Sequence, residues 1–226
     1  MKKIFALILT VLLAFSLIAC ESKVQDNGIN TTPSATNQGD RQDSASSNLP
    51  ETEPPAGAKV LVAYFSRTGE NYGVGVIEKG NTEIIAEMIA AKTGGDLFRI
   101  ESVNAYPSGY DDCTKMAREE KNANARPELT ATVTDFDDYD VIYLGYPIWW
   151  SDMPMPIYTF LESYDFSGKT IIPFCTHAGS GLSGTVKSIQ TACSGATIRD
   201  GFAISGATAQ NDCTSAEKQV SDWLGK

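Results

Sequence analysis

Lys59-Val-Leu-Val-Ala-Tyr-Phe-Ser66-Arg67-Thr68-Gly69 is a compact apolar run that ends in a hydroxyl- and glycine-containing loop. Apolar side chains occupy both alternations of 59–66, the pattern of a strand covered on two faces rather than one. After the interval 70–80, Asn81-Thr82-Glu83 supplies a helix start. Ile84, Ile85, Met88 and Ile89 then share one helical face, and Gly94-Gly95 supplies a stop. A buried strand, a polar loop and an amphipathic helix in succession make the first half of a strand–helix–strand unit.

The rest of the chain repeats that alternation. Strands are expected over 97–103, 140–146, 169–175 and 197–204, with Pro173 suggesting an irregular end to the fourth. Helices are expected over 110–125, 155–164, 183–192 and 215–224, the last turning Ala216, Val220, Trp223 and Leu224 inward. Five strands separated by helices give a parallel sheet with right-handed crossovers and helices on both faces, an α/β doubly wound three-layer sandwich. In such a sheet a ligand sits beyond the carboxyl ends of the strands. The loops after the first, third and fourth strands are therefore the candidate site.

The first of these loops combines Ser66, Arg67, Thr68 and Gly69 with the helix start Asn81-Thr82: hydroxyls, a glycine and free helical N–H groups suited to a phosphate. The second reads Gly145-Tyr146-Pro147-Ile148-Trp149-Trp150-Ser151-Asp152, and tandem indoles at a strand end can flank a planar ring. The third, Thr176-His177-Ala178-Gly179-Ser180-Gly181, allows close backbone approach.

S-x-T-G followed by N-T resembles the phosphate loop of the flavodoxin family, here split by 70–80. The G-Y-P-I-W-W run is similar to the loop that wraps the isoalloxazine in that family. The resemblance spans 59–226. It implies a flavodoxin-like fold with strand order 2-1-3-4-5 and FMN as cofactor. The 5′-phosphate would lie on Ser66, Arg67, Thr68, Gly69, Asn81 and Thr82, and the ring between Pro147, Ile148, Trp149 and Trp150 on one side and Thr176, His177, Gly179, Ser180 and Gly181 on the other. Many family members place a glycine beside flavin N5; Ile148-Trp149-Trp150-Ser151 offers none, which implies weak one-electron shuttling. The implied function is electron transfer with redox donor and acceptor proteins or quinones. The alternatives are an FMN-dependent NAD(P)H:quinone-type reductase, with Tyr72, Trp149 and Trp150 lining the substrate site, and a flavin-free binding protein on the same fold. No residue is assigned as catalytic.

Other chemistries fit less well. Gly75 to Thr82 has the spacing of a nucleotide phosphate loop, but Asn81 stands where the lysine belongs. Gly73-x-Gly75 follows no buried strand and lacks the third glycine of a dinucleotide site. No G-x-S-x-G elbow accompanies His177, the only histidine. Neither a C-x-x-C pair nor metal-ligand spacing occurs, so no metal site is expected. A formal charge of −10 argues against nucleic acid.

The N-terminal part reads differently. Lys2 and Lys3 precede an apolar segment that ends Leu17-Ile18-Ala19-Cys20. The run resembles the bacterial lipobox, which implies removal of 1–19 and a lipid on Cys20, hence export and anchoring on the extracytoplasmic face of a membrane. The leader is thus 1–20. Residues 21–57 are polar, with no aromatic side chain, and read as a disordered tether reaching roughly 30–35 Å. The globular domain is placed at 58–226. Of Cys113, Cys175, Cys193 and Cys213, Cys175 is expected to be an inert buried thiol, and a Cys193–Cys213 disulfide is one pairing that export permits.

Overall fold

A computed structural model describes residues 52–225. The leader, Cys20 and most of the tether lie outside the described residues. The first strand, β1 (Val60–Tyr64), is buried throughout, and its side chains divide by alternation: Leu61 and Ala63 enter one core, Val60, Val62 and Tyr64 the other. Parallel partners flank it, β4 (Asp96–Arg99) and β5 (Val141–Pro147), paired Val62↔Leu97 and Val62↔Tyr143. Next to β5 runs β6 (Thr170–His177), in parallel register through seven positions from Val141↔Thr170 to Pro147↔Thr176.

The sheet order is β4-β1-β5-β6, with β7 (Thr197–Ile198) and β8 (Phe202–Ser205) sharing the far edge of β6. In terms of the five expected strands this is the order 2-1-3-4-5, with the fifth in two pieces. The break explains Pro173, which lies inside β6 and not at an irregular end, as its sequence had suggested. Ile171 accepts from the Arg199 N–H at 3.0 Å, so its polar groups face the edge strand. Pro173, two residues on, directs its missing donor the same way, at the level where β7 has ended and β8 has not begun.

Helices α1 (Asn81–Thr93), α5 (Gly206–Asn211) and α6 (Cys213–Leu224) cover one face, burying Ile85 and Ile89, Ala209, and Ala216, Val220 and Leu224. The other face is covered by α3 (Met155–Glu162) and α4 (Thr185–Ala192), through Ile157, Phe160 and Ile189; α2 (Tyr110–Asn122) lies beside α3. Gly94, at φ 71°, closes α1 with its N–H on the Ala90 carbonyl. Among the elements not foreseen are α5 and a hairpin, largely within the 70–80 interval, formed by β2 (Gly69–Asn71) and β3 (Gly75–Ile77). Thr52, which falls within the expected tether, contacts the sheet and α6. Its hydroxyl donates to the Trp223 carbonyl at 2.5 Å, and its own carbonyl accepts from Tyr143 Oη at 2.6 Å.

The four described cysteines are free thiols. The Cys193–Cys213 disulfide is excluded by topology: Cys193 is packed in the core beneath α3 and α4, while Cys213 starts α6 on the opposite face of the sheet. Burial pushes the Cys175 thiol up to about 12 and Cys193 to about 11, in keeping with unreactive core sulfur.

Candidate functional site

The loop after β1 is shaped by its glycines and by Ser66. Gly80 precedes α1 and carries no capping side chain; a Cβ there would lie 2.1 Å from Ser66 Oγ. The Ser66 hydroxyl occupies that space and accepts from the Glu83 N–H at 3.1 Å, capping the helix from another segment. The N–H groups of Asn81 and Thr82, in the first turn, have no helical carbonyl to bond. Arg99 pairs with Glu83 at 3.0 Å, compensating the one acid in that turn. Thr82 is buried, and its hydroxyl bonds that of Thr176 at 2.8 Å, which ties the helix start to the end of β6.

Arg67 does not reach outward as a loose cation. Its guanidinium donates to the carbonyls of Pro107 (2.8 Å), Ser108 (2.6 Å), Gly109 (3.2 Å) and Glu70 (2.6 Å). Gly69, at φ 82°, runs so close to this segment that a Cβ would lie 2.6 Å from Ser108 O. Glu70 then completes the clamp: its carboxylate accepts from the Tyr110 N–H at 3.0 Å, at the start of α2. The β2–β3 hairpin is thereby fastened to the N-terminus of α2.

The loop after β5 makes a tight turn. Trp149 and Asp152 exchange two backbone hydrogen bonds, at 2.9 and 3.0 Å, across Trp150 and Ser151, both left-handed at φ 52° and 60°. Neither is glycine, so the turn is held by its surroundings. Helix α2 provides the hold: Lys121 Nζ donates to the Trp150 carbonyl at 2.7 Å, the Trp150 indole N–H donates to the Thr114 carbonyl at 3.1 Å, and the Arg118 guanidinium lies 4.3 Å from the ring centroid. Trp149 is packed edge-on against Phe65 and Tyr106. Behind it Tyr106 donates to Glu120, whose carboxyl burial pushes above the usual carboxylate range.

At the end of β6, His177 Nδ1 accepts from the Gly179 N–H at 2.8 Å, so in the neutral ring the proton is on Nε2. Burial holds its pKa below the ordinary value. Beyond β8, Gly206 approaches Asn81: a Cβ there would lie 2.6 Å from Asn81 Nδ2.

These segments enclose one cleft of about 560 Å³ at the carboxyl ends of the strands. Of the residues assigned from sequence, Arg67, Asn81, Pro147, Ile148, Trp149, Trp150, Thr176 and His177 line it. Ser66 and Thr82 stand behind the lining as helix cap and tether, and Gly69 serves the clamp. Thr68 is exposed outside the lining, as are Gly179 and Ser180, and Gly181 is also not part of it. Sequence reasoning did not assign Asn71, Gly73, the α2 residues Tyr110, Cys113, Thr114 and Ala117, or Ser205-Gly206-Ala207 after β8. The one usable signal was the spacing of Tyr110, Cys113, Thr114 and Ala117, which places four uncharged residues on one side of a charged helix. No metal-binding cluster occurs among the described residues.

The sequence profile of the flavodoxin family matches residues 59–220. A solved structure from Bacteroides uniformis, provisionally designated a flavoprotein, shares 33% identity with a TM-score of 0.61, covering 75% of this chain and 99% of its own. One from Bacteroides eggerthii, of the same designation, shares 30% identity with a TM-score of 0.60, covering 74% and 96%. A flavoprotein from Lactobacillus acidophilus, solved with FMN, shares 21% identity with a TM-score of 0.54, covering 65% and 93%. No curated protein matches the chain.

Proposed function

The chain belongs to the flavodoxin family, and from that premise we propose that it binds FMN in the cleft and acts as a redox protein passing electrons to partners at the outer face of a membrane. The observation that carries this reading is the meeting, in one cleft, of the open N-terminus of α1 with two indoles and the end of β6. The FMN of the Lactobacillus acidophilus structure belongs to a protein whose likeness to this chain shows a common fold, so the case for FMN rests on the cleft's own residues.

Those residues fit the group. The N–H groups of Asn81 and Thr82 and the dipole of α1 suit a phosphate on an otherwise acidic protein. Asn81 Oδ1 is buried without a hydrogen-bond partner, and a polyol chain offers the hydroxyl donors it lacks. Gly80 and Gly206 let Ser66 and Asn81 pack directly against the backbone, where a Cβ would displace them, and so fix the helix start that faces the cleft. Pro147, Ile148 and Trp149 supply an apolar wall for a ring, and His177 Nε2–H a donor for its polar edge. When bound, FMN supplies the reversible electron acceptance. The protein's part is to bind, orient and partly exclude water.

Localisation rests on residues outside the described part. Lys2, Lys3 and the run Leu17-Ile18-Ala19-Cys20 support export and lipidation, with the following polar stretch as tether. Among the described residues no helix is long and apolar enough to cross a membrane. Loss of detergent-phase partitioning in Cys20→Ser tests the anchor.

The test of the cofactor is a titration of flavin-free protein with FMN and with riboflavin. The expected result is saturable quenching of FMN fluorescence, and weakening of FMN far more than riboflavin in Asn81→Asp, which places a negative charge at the helix start. A folded protein that quenches neither flavin would overturn the reading.

A further inference from the structure

We propose that the mouth of the cleft along α2 is a second binding site, for a neutral planar aromatic molecule of one or two fused rings, the class to which quinones belong. The proposal rests on the reading that the part of the cleft from Asn81 to His177 holds FMN, and it adds a separate occupant along α2.

Three observations lead to it. First, the mouth is walled by aromatic rings left in water. Tyr72, at the tip of the β2–β3 hairpin, is 69% exposed, with its ring 6.1 Å from Tyr110 in the first turn of α2. Trp150 is 44% exposed and sits beside Thr114 and Arg118, one to two turns along the same helix. Between these walls the floor is made of small side chains, Cys113, Thr114 and Ala117. Large rings at both ends and small residues between them make a slot for a flat molecule.

Second, the residues lining the slot carry no spare charge. Among the lining residues only Arg67 and His177 can be cationic, and none is an acid. The Arg67 guanidinium is taken up by backbone carbonyls. Glu70 serves the Tyr110 N–H, and Lys121 serves the Trp150 carbonyl and Asp152. An anionic ligand finds no free counter-charge among the lining residues at this end, and Arg118, outside the lining, lies against the Trp150 ring, whereas a neutral ring loses little solvation on entering.

Third, the hairpin has little other purpose in the fold. Only Ile77 of its two strands is buried in the core, yet the Arg67–Glu70 clamp fixes it against α2. Gly73 and Gly75, at φ 74° and 73°, turn its tip so that Asn71, Tyr72 and Gly73 line the cleft.

The experiment is a calorimetric titration of the FMN-loaded protein with 2,3-dimethyl-1,4-naphthoquinone, whose thiol-reactive ring positions are blocked so that Cys113 cannot add to it. Saturable binding is expected. Tyr72→Ala should weaken it about three- to tenfold, the loss of one stacking wall. Tyr72→Phe should retain it, and so should Val76→Ala, which alters an exposed hairpin residue outside the lining. FMN affinity, titrated separately, should stay within about twofold in Tyr72→Ala. The proposal is overturned if the wild type shows no saturable binding, if Tyr72→Ala binds the quinone unchanged, or if Tyr72→Ala loses FMN as severely, which would make Tyr72 part of the flavin's own wall. Should the wild type fail to bind FMN, the proposed function falls. The mouth site is then decided on flavin-free protein: Tyr72-dependent quinone binding upholds it, and its absence overturns it.

Discussion

Lys121 donates from Nζ to the carbonyl of Trp150 at 2.7 Å, so a helix on the flank of the sheet holds a turn whose two central residues are both left-handed and neither of them glycine. Each such residue costs about 1–2 kcal/mol in local conformation. Ser151→Gly should remove that cost at one position. Part of the gain is offset by the greater freedom of glycine in the unfolded chain, leaving about 0.5–1 kcal/mol of added stability. Lys121→Ala should have the opposite sign. Urea unfolding of the two variants checks both; a destabilised Ser151→Gly would show that the turn carries no strain.

Arg67 should behave as a clamp. Removing it leaves the carbonyls of Pro107, Ser108 and Glu70 short of a donor and frees the hairpin from α2. Arg67→Ala is expected to cost about 2 kcal/mol, in the range for hydrogen bonds from a charged group. Arg67→Lys should recover little of it, because one ammonium cannot span the same acceptors. Limited proteolysis reads the consequence directly, with new cleavage between residues 70 and 80 in both variants. Full rescue by lysine would mean that only the charge mattered.

The parts of this architecture legible in the sequence were those where burial and pattern coincide. Residues 59–66 announce a two-faced strand because Leu61 and Val62 really do enter different cores. The fifth strand was read as continuous because nothing local shows that Pro173, on a neighbouring strand, removes the donor opposite Arg199-Asp200-Gly201. Helix α5 was invisible since only Gly206 and Ala209 of its six residues are buried. In the cleft, loops were legible by composition, whereas the α2 wall was not. Cys113 and Ala117 look like ordinary buried positions of a polar helix until the hairpin is seen to close over them. Arg67 lines the cleft, but three of the four carbonyls that take up its guanidinium lie about forty residues away, beyond any local pattern.

His177 should titrate below the ordinary histidine range. Burial disfavours its charged form, and protonation at Nδ1 would displace the Gly179 N–H. The folded pKa is therefore depressed relative to the unfolded value of about 6.5. The stability this contributes is fully present above that unfolded value and is lost as pH falls through the folded one. As the only histidine, its ring protons give an unambiguous NMR titration. The expected midpoint lies below that of the unfolded chain, and the acid-side slope in stability should shrink in His177→Gln. A midpoint at or above the unfolded value would refute the assigned tautomer.

Thiol reactivity should separate Cys213 from the other three described cysteines. Cys213 is exposed at the start of α6, while Cys113, Cys175 and Cys193 are buried. Alkylation of native protein followed by peptide mass mapping should label Cys213 alone, with the others reacting only after denaturation. A Cys193–Cys213 peptide in non-reduced digests would contradict the placement of these residues on opposite faces of the sheet.

The packing at the centre of the sheet offers the last test. Gly145 on β5 stands opposite Phe174 on β6, and a Cβ at Gly145 would lie 2.1 Å from Phe174 Cζ. The ring occupies the space that any larger residue at 145 would need, and it is fully buried, with no room to swing outward. Gly145→Ala should therefore cost about 1–3 kcal/mol by overpacking. Phe174→Leu alone should cost about 1 kcal/mol through the apolar area it removes. Combined, the smaller leucine makes room for the new methyl, so the double variant should be more stable than the sum of the single losses by about 1 kcal/mol, in the range for residues in direct contact. Strict additivity in a double-mutant cycle by urea denaturation would mean that the strands separate locally instead, and that Gly145 is required by the backbone rather than by the ring.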